Sequence, residues 1–134
     1  MRKIKNNFRV CLFITMLIIH SCSGNAICIN IAQKKIISKS GNIISFEIED
    51  NNYTYTFHLK DNVRSQTIID LTNITLNNDL LENYPGAGIK PFYLEPNKLY
   101  AFSNHTNGDA GSGVVKFYTD SLGNLHSLDN RVCE

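Results

Sequence analysis

Cysteine and histidine are the residues in this chain whose chemistry depends most on spacing. There are four of each: Cys11, Cys22, Cys28 and Cys133, and His20, His58, His105 and His126. A structural zinc site gathers such ligands from short spacings, typically Cys-x-x-Cys paired with closely spaced His or Cys. No Cys-x-x-Cys occurs and His58, His105 and His126 lie far apart in sequence, so no metal site is expected. Nucleophilic catalysis has no better footing, because the Gly-x-Ser-x-Gly elbow is missing. Glu47 and Glu49 would share one face of a strand, but that is the ordinary solvent face of a half-buried strand. "GAG" at residues 86–88 has none of the sequence context of a phosphate loop. The expectation is a protein that is not an enzyme and carries no cofactor or metal.

What the cysteines do depends on the N-terminus. Arg2, Lys3, Lys5 and Arg9 come before the first acidic residue, and an uncharged apolar run covers residues 10–19. A basic segment followed by an apolar run of this length is the form of a secretory signal peptide. A lasting membrane span would need roughly 20 apolar residues. Two processing routes fit. Signal peptidase I could cut after Ala26, where Gly24 and Ala26 are the small residues it requires. Alternatively, "IHSC" resembles a bacterial lipobox, with Ile19, His20 and Ser21 preceding a cysteine, Cys22, that becomes lipidated and begins the mature chain. The second route is preferred, because Cys22 follows the apolar run directly and several acyl chains on one cysteine anchor stably. The chain then divides into a signal peptide (1–21), a short tether (22–26) and one domain (27–134).

Under either route Cys11 is lost, and Cys22 is lipidated or removed. The folded domain therefore keeps Cys28 and Cys133, and an exported domain with two cysteines usually pairs them. The bond would close a loop of about 100 residues, for which chain entropy gives about 4.7 kcal/mol. Loss of residues 1–21 removes four of the 13 basic residues and none of the 12 acidic ones, leaving 9 against 12 and a net charge of −3. A nucleic-acid partner, which calls for a clustered basic face, is not expected.

The rest of the chain reads as strands. In "NIISFEIEDNNYTYTFHLK" (42–60), Ile44, Phe46 and Ile48 alternate with polar residues. After "DNN" the alternation resumes with Tyr53, Tyr55, Phe57 and Leu59. This period of two, broken by an Asp/Asn turn, predicts a β-hairpin. "GVVKFYT" and "LHSL", joined by "DSLGN", predict a second, with Gly123 supplying a positive φ. "SQTIIDLT", "KPFYLE" and "KLYAFSN" are further strand candidates, and "EPN" is a turn. "AICINIA" is a strand that could extend into "KKIIS", and "NNDLLENY" (77–84) has a local helical look. About seven short strands with frequent turns predict an all-β fold, an antiparallel immunoglobulin-like β-sandwich. A small β-barrel is the alternative.

Two loops are candidates for contact with a partner. "SNHTNGDAGSG" (103–113) offers His105 and Asp109, a single carboxylate and so too few for a dedicated calcium site. "LENYPGAGIKPFY" (81–93) offers Tyr84, Phe92 and Tyr93, aromatic side chains of the kind that interfaces favour, unless Phe92 or Tyr93 is taken into the core. Sequons stand at Asn52, Asn73 and Asn104, in a chain rich enough in Asn, Ser and Thr for such triplets to arise by chance.

The lipoprotein-like signal, the cysteine in "AICINI", the "LEPNKLYAF" segment and "VVKFYTDSLGNLHSL" together resemble the small periplasmic lipoproteins described as immunity proteins of type VI secretion systems. Leu94, Pro96, Tyr100, Phe117 and Asn124 carry the resemblance most specifically. It implies a non-enzymatic protein, lipid-anchored to the outer membrane on its periplasmic side, that binds and neutralises a toxic effector protein. The alternative from another class is a structural or adhesive β-sandwich module of the envelope or of a pilus.

Overall fold

The computed structural model describes residues 26–60, 66–74, 81–83, 92–105 and 113–133. Among these, nine strands occur: β1 (Ile27–Asn30), β2 (Lys35–Ser38), β3 (Ser45–Asp50), β4 (Thr54–Leu59), β5 (Ile68–Asp70), β6 (Leu81–Asn83), β7 (Leu99–His105), β8 (Gly113–Thr119) and β9 (Leu125–Ser127). They form two antiparallel sheets, one ordered β1-β2-β5 and the other β6-β4-β3-β7-β8-β9. The sheets stay separate and share one apolar core, which makes the fold a β-sandwich and not a barrel. With β6 and β9 set aside, the seven remaining strands fall in the order A-B-E and C′-C-F-G, the immunoglobulin-like connection pattern.

Alternation along each strand decides what enters the core. In the small sheet, Ile29, Ile36 and Ile69 are register partners and make one buried row. In the large sheet, Phe46 pairs with Phe57 on one side and Asn104 on the other, and Ile48 lies between Tyr55 and Phe102. Phe46 is the hub, its ring centroid 4.9 Å from those of both Phe57 and Phe102 in stacked arrangements. Tyr100 stacks on its partner Phe117 at 5.4 Å. Each such side chain contributes about 1.5–3 kcal/mol when fully withdrawn from water.

Both predicted hairpins form, β3–β4 and β8–β9. In the latter, Asp120 accepts from the amides of Leu122 and Asn124, and Gly123 has a φ of 78°. Three expectations are corrected. "KKIIS" does not prolong β1, because the chain reverses at residues 31–34 and pairs β2 back against β1. The Asn30 side chain accepts from the Gln33 amide, and Lys34 takes a left-handed φ of 54°. Leu81–Asn83 is not helical but pairs with the edge of β4, as Leu81↔Leu59 and Asn83↔Phe57. Residues 92–95 belong to no strand and form the approach to the "EPN" turn.

That approach is tied down by a single phenol. Tyr100, buried at the start of β7, accepts a 2.9 Å hydrogen bond at its Oη from the Glu95 amide and reaches the Tyr93 carbonyl at 3.5 Å. A tyrosine near the start of strand F that hydrogen-bonds to backbone a few residues upstream is the tyrosine corner of immunoglobulin-like domains. Burial raises the Tyr100 pKa, keeping the phenol protonated and able to donate. Tyr100→Phe keeps the ring and deprives the Glu95 amide of its acceptor, so we expect a loss of about 1–3 kcal/mol in a urea titration.

Candidate interaction surface

Strand pairing places four side-chain rows on the solvent face of the large sheet. One runs His58, Ser45, His105 and another Thr56, Glu47, Ser103, Val114. A third is Thr54, Glu49, Ala101, Lys116, and the fourth is Leu99, Tyr118, His126. The face alternates carboxylate, imidazole, hydroxyl and aromatic groups. Glu47 Oε2 lies 3.3 Å from His105 Nε2, and Thr56 Oγ1 donates to Glu47 Oε1 at 3.4 Å. Both members of the Glu47–His105 pair are solvent-exposed, so it adds little stability and is available to a partner.

The Leu99–Tyr118–His126 corner is the most structured part of this face. The His126 ring stacks on Tyr118 with centroids 4.8 Å apart, and its Nε2 lies 3.0 Å from Asp120 Oδ2. Asp120 also accepts from the Asn124 side chain at 3.0 Å. These bonds hold its carboxyl well below the usual carboxylate range, the His126 bond being the largest cause. Leu99 and Tyr118 remain exposed beside it. The combination of an aromatic ring, an imidazole fixed by a carboxylate and an aliphatic neighbour suits reversible protein recognition. Among the described residues no group of three His, Cys, Asp or Glu side chains is arranged to hold a metal ion.

The contact residues suggested by sequence separate. His105 is exposed at the end of β7, on the face just described. Tyr93 is 59% exposed. Phe92 is a correction: it is 3% exposed, with its ring edge-on to Tyr55, Phe57 and Tyr100 at 5.2, 6.5 and 5.8 Å, and so belongs to the core. Cys22, Tyr84 and Asp109 lie outside the described residues. Cys28 and Cys133 form a disulfide with Cα atoms 5.2 Å apart. Of the sequons, Asn52 and Asn73 are exposed, whereas Asn104 points into the core, its amide atoms without a hydrogen-bond partner among the described residues. Sequence reasoning missed Leu99, Tyr118 and His126 as a group. Strand alternation marks each as outward-facing, but only the β7–β8–β9 register makes them neighbours.

Behind this face, Asp50 closes the β3–β4 turn by accepting from the amides of Asn52 and Tyr53, each at 2.8 Å, and from Lys98 Nζ at 3.3 Å. Burial alone would raise its pKa, yet those bonds outweigh burial and lower it. Asp70 is lowered in the same way, its bonds with Thr72 and Asn73 and the nearby Lys35 charge overcoming burial. All three aspartates are thus depressed below an unfolded value near 3.8. A depressed carboxyl contributes stability that is fully present above its unfolded pKa and is lost as pH falls through the folded one. The midpoint in urea should therefore hardly depend on these groups above about pH 5 and should fall steadily below about pH 4. Asp50→Asn should flatten that decline.

Comparison of the chain with known protein families, with curated proteins and with solved structures finds no match.

Proposed function

We propose that this is an exported periplasmic protein, anchored to the outer membrane through a lipid on Cys22, that binds and neutralises a toxic effector protein. The observation that carries the reading is the Cys28–Cys133 disulfide. Such a bond belongs to oxidising compartments, and it joins two cysteines that a signal ending near Cys22 would leave in the mature domain. A compact sandwich with a patterned polar and aromatic face fits a role in binding. The residues we assign to that role are Glu47, His105, Leu99, Tyr118 and His126, with Tyr93 at the margin.

The test is periplasmic expression of a candidate toxin from a neighbouring gene, with and without the full chain. Survival restored by the chain, and reduced by Tyr118→Ala together with His126→Ala, is the expected result. Equal killing in both cells would remove the immunity reading. Incorporation of labelled palmitate that persists in Cys22→Ser would remove the anchor assignment.

A further inference from the structure

The segment after β9 crosses from one sheet to the other and touches a strand edge on each. On the large sheet, the Leu128 amide donates to the Lys116 carbonyl at 2.9 Å. Asp129 Oδ2 accepts from the Lys116 amide at 3.1 Å, and Arg131 Nη1 donates to the Val114 carbonyl at 2.6 Å. On the small sheet, the Ile29 amide donates to the Arg131 carbonyl at 2.8 Å and the Cys133 amide to the Ile29 carbonyl at 2.9 Å. Ile29 and Val132 thereby form a parallel bridge. The disulfide to Cys28 lies at the end of this run.

These contacts cover backbone that the named strands leave open. β9 pairs with Phe117–Thr119, so among the described residues the preceding half of β8 has no strand on that side, and β1 is the outer member of its sheet. Unpaired strand edges are templates for pairing with another chain, and folds commonly cover them. The covering segment is poorly held by packing. Leu128 and Val132 are 53% and 40% exposed, and Asp129, Asn130 and Arg131 are at the surface or partly so. Besides two backbone hydrogen bonds to Ile29, the disulfide fastens its end.

We propose that residues 128–133 are a redox-latched strap. With the disulfide closed, the strap seals one edge of each sheet. With the disulfide reduced, it detaches and opens the edges of β1 and β8 while the sandwich stays folded. Cys133 is partly exposed and Cys28 buried, so the thiolate of a dithiol reductant attacks the Cys133 sulfur. The S–S bond breaks, Cys28 leaves as a thiolate and takes a proton, and a mixed disulfide forms at Cys133. The second thiol of the reductant then displaces Cys133, which takes the other proton. Two electrons and two protons have passed to the cysteine pair, and the dithiol has become a disulfide. An oxidising compartment keeps the domain sealed, and a reducing one leaves both edges available for strand addition.

The test is amide hydrogen exchange read by NMR on the oxidised protein, on the same protein treated with dithiothreitol, and on the Cys28→Ser/Cys133→Ser variant. Local release raises exchange at Ile29 and Lys116 by about tenfold or more beyond the rise at the central amides of Phe46 and Phe102, which follow only the lower global stability. Unchanged exchange at Ile29 and Lys116 overturns the proposal. So does a uniform rise at all four amides, because the strap would then open only with the whole domain. Asp129→Ala in the oxidised protein provides an independent check: Lys116 should exchange faster while Ile29, held by the latch, stays protected. If Lys116 stays protected in that variant, the strap does not seal β8.

Discussion

Cys133→Ser will lower the unfolding free energy by about 4–5 kcal/mol, as expected for opening a loop of roughly 100 residues. The sequence separation of the two cysteines is 105, so the closed bond constrains nearly the whole described domain in its unfolded state. The loss should appear in a urea titration as a lower midpoint. It should be accompanied by a steeper slope, because an unfolded chain without the cross-link exposes more surface. Cys28→Ser should cost about the same, and the double variant no more than either, since all three remove one bond. A loss below about 1 kcal/mol would mean that the bond does not constrain the unfolded chain as chain entropy requires. The native sandwich should survive in each variant, because its core lies between the sheets and not at the disulfide.

Phe46→Ala is expected to cost about 3–5 kcal/mol. Phe46 is fully buried on the middle strand of the large sheet's central trio, β4-β3-β7, and its ring stacks on one ring from each neighbour. Truncation removes the apolar transfer energy and also leaves a void that two aromatic rings held from both sides cannot readily close. Phe46→Leu fills part of that volume and should cost clearly less. Tyr93→Ala, at an exposed site, should stay within about 0.5 kcal/mol of the parent. Thermal or urea unfolding of the four proteins checks the ranking. Ser45 and Glu47, which flank Phe46 on the outer face, are presented only while that core is intact.

Much of this architecture was legible residue by residue. Alternation marks Phe46, Ile48 and Phe57 as inward-facing and all three are buried, whereas Ile44 and Tyr53, at the starts of the same two series, precede β3 and β4 and are exposed. Gly123, Pro96 and the Asp/Asn pairs mark turns because they favour particular backbone angles. The turn at residues 31–34 was not legible. "IAQK" contains neither Gly nor Pro, and its reversal depends on a capping Asn30 and on a left-handed Lys34. Leu71 helps to fix that conformation from a distant part of the chain, its amide donating to the Lys34 carbonyl. The candidate interaction face was visible only as scattered polar alternation, since Tyr118 meets His126 through strand register and Glu47 meets His105 across two strands.

The sequence by itself determined the β-class, the two hairpins, the inward side of β3 and β4, and, given export, which two cysteines would pair. The first three follow from properties of neighbouring residues, namely the two-residue period of a strand and the backbone preferences of turn residues, and the pairing follows from which cysteines the signal leaves. Tertiary structure alone decided that "KKIIS" turns back on β1, that Leu81–Asn83 joins an edge, that Phe92 is core, and that Tyr100 locks the turn before its own strand. It also decided that the last residues span both sheets. The physical reason is common to all of them. Each outcome depends on hydrogen bonds and ring contacts that close only after distant strands have taken their register, and no local pattern encodes which distant partner will be there.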